Sequence, residues 1–410
     1  MKLKKNRITG IVERIDRFVN LRLIEAFIFA VLLMQIAYVF IALLAIITCW
    51  QLYYHFRYFI KLAAYRPAEG SNFPKVPVSV IVVARNEYKN LEANLESWLN
   101  QDYPDFEVVV VNNGSWDKSQ EYLELMEEKH ARLKVVKIVE QERYPKGKKF
   151  GLTLGIKAAS NEWMLLTDSD CRPQSTRWIQ EMSRYFVQGK SITLGYSPYT
   201  KKNTVLNFLI RWDTFYTALQ YLSFSLAGKT YMGVGRNLAY TKSLFFSVKG
   251  FASHNHLIAG DDDLFINETA TPSNTSICIH PDAFVASTPK TNFGDWIKQK
   301  RRHLGVGKEY KASNKWRIAG LHMSNSLFYA SLIPAAIFCW PIKTDYLYLF
   351  PIGIYVLRLL SQYFIFGFAM KRLKETNLLY LLPFLDLYFL FFYFFMGVGA
   401  TFRKPQRMNW

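Results

Sequence analysis

Trp163-Met164-Leu165-Leu166-Thr167-Asp168-Ser169-Asp170-Cys171 is the stretch on which the reading of the fold turns. A short apolar run ends in two carboxylates separated by one serine, and Pro173 breaks the chain just beyond. In an extended segment alternate side chains point to the same side, so Asp168 and Asp170 can converge on one point. Hard oxygen donors converging at a strand end suit Mg²⁺ or Mn²⁺, ions that keep waters and share their other positions with phosphate oxygens. Alone, the stretch reads equally well as a solvated turn, since Asp is a common turn residue.

Upstream the same pattern recurs. Val78-Ser79-Val80-Ile81-Val82-Val83-Ala84 is a buried-strand run that breaks at Arg85-Asn86-Glu87, and Leu91, Leu95, Trp98 and Leu99 follow at helical spacing. Phe106 to Val111 repeats the strand and ends at Asn112-Asn113-Gly114-Ser115. A helix over 118–132, a strand over 133–139, a helix over 150–159 and a strand over 163–167 complete the alternation. Such alternation predicts an α/β fold with a mainly parallel sheet covered on both faces. Ligands of such sheets bind beyond the carboxyl ends of the strands. The Arg85-Asn86-Glu87, Asn112-Asn113 and Asp168-Ser169-Asp170 groups all stand there, which points to a nucleotide site.

Downstream, residues 203–227 are aromatic-rich with a narrow polar stripe of Asn207, Arg211, Thr214, Thr217 and Gln220. This suggests a helix in a membrane interface, with a core helix as the alternative. Gly233-Val234-Gly235-Arg236-Asn237 is a loop in which backbone can approach a ligand closely. Gly260-Asp261-Asp262-Asp263 gathers three carboxylates ahead of a helical segment, where they could also serve as an N-cap.

Half of the 410 residues are hydrophobic, yet the formal net charge is +19. That combination reads as a membrane protein whose water-facing part meets anions. No nucleic-acid module accompanies the charge, so nucleic acid is not an expected partner. Cys49, Cys171, Cys278 and Cys339 are scattered without a CxxC pair, which indicates neither a zinc site nor a disulfide framework. Residues 1–25 form a basic segment with apolar positions at helical spacing, expected to lie on a membrane surface. Residues 26–50 are long and apolar enough to span a bilayer. An interfacial segment and linker follow over 51–75, then a water-facing domain over 76–316. Further apolar runs at 322–342, 346–369 and 378–400 are expected spans, kinked by Pro334, Pro351 and Pro383. Arg358 and Asp386 fall inside these runs and are expected to face the interior of the bundle.

Across residues 76–310 the chain resembles a membrane-bound family 2 glycosyltransferase with a GT-A fold. Val83-Ala84-Arg85-Asn86-Glu87 resembles the family's first nucleotide-contacting loop, and Asn112-Asn113-Gly114-Ser115-Trp116-Asp117 is similar to its Asp-Asp-Gly-Ser-x-Asp element. Gly147-Lys148-Lys149-Phe150-Gly151-Leu152-Thr153-Leu154-Gly155 looks like its GKxxALNxG segment. Asp168-Ser169-Asp170 matches the DxD metal motif, Gly260-Asp261-Asp262 the position of the general base, and Gln299-Lys300-Arg301-Arg302-His303 resembles QxxRW. Two departures stand out. Amides at Asn112 and Asn113 replace an acidic residue that reads the uracil or ribose, and His303 replaces a tryptophan that stacks on the acceptor sugar. The second departure favours single-sugar transfer over processive polymerisation.

The resemblance implies inverting transfer from a nucleotide diphosphate sugar, UDP-linked by analogy, to a lipid-linked or saccharide acceptor at the bilayer, in glycolipid or polysaccharide synthesis. Ala84, Arg85, Asn86, Glu87, Asn112, Asn113, Lys148, Asp168 and Ser169 would hold the donor, with Mg²⁺ or Mn²⁺ at Asp168 and Asp170. Asp262 would be the base, and Arg301 and Arg302 would offset charge on the leaving diphosphate. Asp261, Gln299, His303, Gly235 and Arg236 would line the acceptor side. A nucleotide-sugar donor places the domain in the cytoplasm, against a membrane such as the bacterial inner membrane. A nucleotidyltransferase or a non-catalytic membrane scaffold would share part of this pattern.

Overall fold

The computed structural model describes residues 2–67, 73, 75–139, 147–257, 259–342 and 346–401. Part of the expected linker, residues 68–72 and 74, lies outside them. The chain divides into two compact units, Met1–Tyr53 with Gly320–Ser361 and Tyr54–Ala319 with Gln362–Trp410.

Helix α1 (Lys2–Tyr54) is continuous, so the surface segment expected over 1–25 and the span expected over 26–50 share one backbone element. No proline interrupts residues 2–54, which is the local reason. A π-helical turn at His55–Phe59 leads into α2 (Ile60–Ala64). Next come β1 (Val78–Ala84), α3 (Tyr88–Leu99), β2 (Phe106–Asn113), α4 (Ser119–Lys129), β3 (Leu133–Ile138), α5 (Lys148–Ala158) and β4 (Trp163–Asp168). They are followed by β5 (Cys171–Pro173), α6 (Trp178–Ser183), β6 (Ile192–Gly195), α7 (Val205–Leu226), β7 (Leu238–Thr241) and α8 (Lys242–Ser247). Then α9 (Asp263–Thr269), β8 (Thr275–Cys278), β9 (Val285–Ser287) and α10 (Phe293–Val306) close the domain, and α11 (Ala312–Cys339), α12 (Leu349–Arg372) and α13 (Leu382–Thr401) complete the described chain.

The main sheet runs β3-β2-β1-β4-β7-β6-β8, and β5 pairs with β9 in a small second sheet. Strands β3, β2, β1 and β4 are parallel, whereas β7 is antiparallel to both β4 and β6. Every residue of β1 is buried, as its unbroken apolar run requires. Full burial of each Val or Ile there is worth about 1.5–3 kcal/mol. Helix α5 lies unusually close to the sheet. A Cβ added at Gly155 would stand 2.8 Å from Val111 Cγ2, and one at Gly151 2.8 Å from Val83 Cγ1. Those glycines bring the first turn of α5, with Lys148, to the carboxyl edge of the strands.

Helix α7 corrects the membrane-interface expectation for 203–227: protein encloses it. Its polar stripe is met inside the fold, where Arg211 pairs with Glu375 and donates to Asn377 Oδ1 at 2.6 Å. One turn face away, Asp213 takes Lys300 Nζ at 2.8 Å and the Tyr393 hydroxyl. Partners for these groups come from the chain itself, so the helix needs no headgroups to satisfy them.

Among the described residues, three stretches are long and apolar enough to cross a membrane: Arg17–Ala64, Leu349–Arg372 and Thr376–Gly397. Helix α11, which contains the span expected over 322–342, is not among them; His322, Ser324, Asn325, Ser326 and Ser331 dilute its apolar character. Within the first unit Arg358 is buried, as expected. Its guanidinium donates to Gln51 and, at 2.6 Å, to Asn325 Oδ1, and lies 4.4 Å over the Phe328 ring. In the second unit Asp386 is likewise buried and accepts from Gln362 at 3.3 Å.

Candidate active site

The first two strand ends are buckled together. Past Ala84, Asn86 adopts φ 56°, a left-handed conformation that Asn tolerates. Its N–H donates to Ser115 Oγ at 2.9 Å, and its Oδ1 accepts from the Trp116 N–H at 3.0 Å. Asn112 Oδ1 accepts from the Ser115 N–H at 3.1 Å, closing a turn on itself, and its amide donates to Gln120. Asn113 donates to the Gly147 carbonyl at 3.4 Å. The amides that replace the expected acid therefore hold the loops in shape. Arg85 lies 5.4 Å over the Trp116 ring. Glu87 is pushed above the usual carboxylate range, by burial first, with Asp170 and Asp168 adding to the effect.

At the end of β4, ligand atoms of Asp168, Asp170 and Cys171 lie within 4.8 Å of one another. The turn is held from behind: Asn94 donates to the Ser169 carbonyl at 2.9 Å and Trp98 Nε1 to that of Cys171 at 3.0 Å. Ser287 Oγ on β9 donates to Asp170 Oδ2 at 3.3 Å. Burial, and then Asp170 and Asp168, keep the Cys171 thiol protonated. The donor set is thus two carboxylates without a thiolate, which fits a hard divalent cation such as Mg²⁺ or Mn²⁺.

Lys148 joins this pair to the second acidic group. Its Nζ stands 2.7 Å from Asp168 Oδ1 and 3.0 Å from Asp261 Oδ2. Burial opposes the ammonium charge, but Asp168, Asp261 and Asp262 outweigh it and hold the proton firmly. Burial works against the Asp261 charge too, and Lys148 reverses that, holding this carboxyl below its ordinary range. Asp262 goes the other way, raised by burial and then by Asp261. Its side chain caps α9, with Oδ1 accepting from the Asp263 N–H at 2.8 Å and Oδ2 from the Gly235 N–H at 2.8 Å. A Cβ at Gly235 would sit 3.3 Å from that Oδ2, so glycine lets the loop close on the carboxylate. Asp263 is pushed up to about 8 by burial and then by Asp262, and accepts from the Tyr310 hydroxyl at 2.8 Å.

Helix α10 starts from an Asn292 cap. Gln299 Nε2 donates to the Tyr199 hydroxyl at 3.2 Å, and the Tyr199 ring lies 4.4 Å beneath the Arg236 guanidinium. Arg301 and Arg302 are exposed on this helix and make no ion pair among the described residues. His303 is also reached by solvent, but the surrounding protein, and then Arg302, Lys300 and Arg236, push its imidazole down to about 3, leaving the ring neutral at pH 7.

Asp168, Asp170, Lys148, Asp261, Asp262, Gly235, Arg236 and Gln299 therefore stand in one connected network, whereas Arg301 and Arg302 are not tied into it by contact. Sequence reasoning missed Tyr199, Ser287 and Asp213. Tyr199 lies in an irregular segment and Ser287 in a three-residue strand, both too short for a periodic signal, and Asp213 sits inside a helix read as interfacial with a core helix as the alternative.

The family model of glycosyl transferase family 2 matches residues 79–246. Glycosyltransferase AglE of Haloferax volcanii is 28% identical over 242 residues, which are 56% of this chain and 72% of that protein. The dolichyl N-acetyl-alpha-D-glucosaminyl phosphate 3-beta-D-2,3-diacetamido-2,3-dideoxy-beta-D-glucuronosyltransferase of Methanococcus voltae is 27% identical over 99 residues, 24% of this chain and 30% of its own length. The match thus spans under a third of that relative. Among solved structures, mannosyltransferase PcManGT from Pyrobaculum calidifontis, in complex with GDP-Man and Mn²⁺, superposes with a TM-score of 0.54. It is 21% identical, with 82% of this chain and 99% of that one covered, a likeness of fold.

Proposed function

Residues 79–246 belong to a family 2 glycosyltransferase domain of GT-A type, and from that premise we propose that the chain moves a sugar, with inversion, from a nucleotide diphosphate sugar to a lipid-linked or membrane-adjacent acceptor. The observation that carries this reading is the Lys148 bridge, which puts Asp168 of the DxD pair and Asp261 of the acidic cluster on one ammonium group. Residues assigned to donor and to acceptor, distant in the chain, are thereby joined by direct contacts, which supports a shared site.

In this reading the Arg85–Glu87 loop and the Asn112–Asn113 turn shape the nucleotide pocket, and the donor is UDP-linked. Asp168 and Asp170 hold Mg²⁺ or Mn²⁺, which when bound would offset negative charge on the departing diphosphate. Asp262 takes the proton of the acceptor hydroxyl. Two backbone N–H groups aim its oxygens, and burial next to Asp261 gives it more proton affinity than a free carboxylate has. Arg301 and Arg302, exposed on α10 and without an ion pair among the described residues, are available to add positive charge for the diphosphate, and neutral His303 offers a ring face to the acceptor. Apolar stretches at Arg17–Ala64, Leu349–Arg372 and Thr376–Gly397 support a multi-pass protein, and the nucleotide-sugar donor argues for a domain on the cytoplasmic side. The Methanococcus voltae relative, named for a dolichyl-linked acceptor, supports a lipid-linked one here.

Product analysis tests the reading. Incubation of the full chain with UDP- and GDP-sugars, Mn²⁺ and membrane lipids is expected to release nucleoside diphosphate and label the lipid fraction, and Asp170→Asn is expected to stop both. Release of pyrophosphate would instead mark nucleotidyl transfer, and full activity in Asp170→Asn would remove the assigned metal pair.

A further inference from the structure

Among the described residues of the cleft, Arg236 has a buried guanidinium nitrogen, Nη1, with no hydrogen-bond partner. Such an atom is costly to leave unsatisfied, the more so on a charged group. Its position is fixed from several sides. The Arg236 carbonyl accepts from Thr167 Oγ1 at 3.0 Å, next in the chain to Asp168. Its guanidinium lies 4.4 Å over Tyr199, whose backbone bridges to Ser287, and Ser287 Oγ in turn donates to Asp170. From α10, Gln299 holds the Tyr199 hydroxyl.

The guanidinium is therefore held within electrostatic reach of the DxD pair, yet among the described residues it forms no ion pair with either carboxylate. Burial disfavours its charge, and Tyr199, Cys171, Asp170 and Asp168 more than restore it. A fixed cation that leaves an N–H unused next to a metal-binding pair suits an anion with several oxygens, and the planar guanidinium fork matches phosphate geometry.

We propose that Arg236 binds the terminal phosphate of the nucleoside diphosphate, and that Tyr199 and Gln299 are positioning residues that hold it there. This rests on the glycosyl-transfer reading and moves Arg236 from the acceptor side, where the resemblance put it, to the leaving group. The same chemistry would also suit the phosphate of a lipid-linked acceptor, and the test separates the two sources.

Calorimetric titrations of UDP, GDP, UMP and GMP, with Mn²⁺, into the full-length protein, Arg236→Gln and Arg236→Lys read the proposal directly. Arg236→Gln is expected to bind the diphosphate on the order of 10- to 100-fold more weakly and the matching monophosphate within about threefold of wild type. Arg236→Lys, a point charge without the fork, is expected to recover part of the loss. If Arg236→Gln does not fold, Arg236→Lys decides alone: a reduced preference for diphosphate over monophosphate supports the proposal, and an unchanged preference overturns it. Equal loss for mono- and diphosphate would mean that Arg236 only shapes the pocket. Unchanged diphosphate binding with a raised KM for a phosphate-bearing lipid would assign the contact to the acceptor. Wild type that binds none of the four would remove the donor site itself, a different failure from any of these.

Discussion

Strands β1, β2 and β4 and the group formed by β7, α9 and α10 reach the same cleft by different physical routes. In the first region ladder register places the side chains: Ala84 lies opposite Asn112, and Val83 opposite Asp168. Backbone hydrogen bonds fix those positions whatever the side chains are, and buried apolar runs lead up to each of them. In the second region single contacts do the placing, such as Gly235 N–H to Asp262, Tyr310 to Asp263 and Gln299 to Tyr199. The family match covers residues 79–246 and ends before Asp261 and α10. A register-built edge holds its residues whatever their side chains, while a contact-built edge, which carries both the proposed Asp262 base and Arg236, can be re-aimed by single substitutions.

The comparison breaks most visibly at Asp262. Asp262→Asn is expected to lower kcat by roughly 10²–10⁴-fold in steady-state assays, with nucleoside diphosphate affinity retained. A parallel loss of nucleotide binding would show that the two regions do not act separately.

A smaller effect concerns stability. Arg211→Met leaves Glu375 buried without its cation and is expected to cost about 3–5 kcal/mol in denaturant unfolding. Arg177→Met, at the exposed pair with Asp282, is expected to cost at most about 1 kcal/mol. Equal costs would mean that the ion pairs of α7 organise nothing.

The finest test is a pH profile. As the proposed base Asp262 acts deprotonated, so kcat/KM is expected to rise as pH climbs through its pKa, which is raised by burial and then by Asp261. Asp261→Asn removes the second cause, so the acid limb is expected to move to lower pH. A limb that stays in place would take Asp262 out of the rate equation.

Much of the first region was legible in the sequence because apolar runs announce strands and the carboxyl ends of parallel strands announce ligands. Asp168 and Asp170 do come together, but β4 ends at Asp168 and Ser169–Asp170 is a turn, so a turn and not the alternation of an extended strand supplies the convergence. Asp261 and Asp262 could be located by motif, but not their link through Lys148, which joins Asp261 to Asp168, 93 residues earlier in the sequence. Helix α7 could be read as an interface helix or a core helix for a related reason. A stripe of Asn207, Arg211 and Gln220 looks alike whether its partners are headgroups or residues elsewhere in the chain, and only tertiary structure supplied Glu375 and Lys300.

The ion pairs of α7 also set a timetable for synthesis. Glu375 lies 164 residues after Arg211, and Tyr393 lies 180 residues after Asp213. At roughly 5–20 residues per second, translation separates Arg211 from its counter-ion by on the order of 10–30 s. Throughout that interval strands β1 to β4 are already made but α7 still lacks its buried partners, so its polar face is satisfied only once the segments carrying Glu375 and Tyr393 have followed.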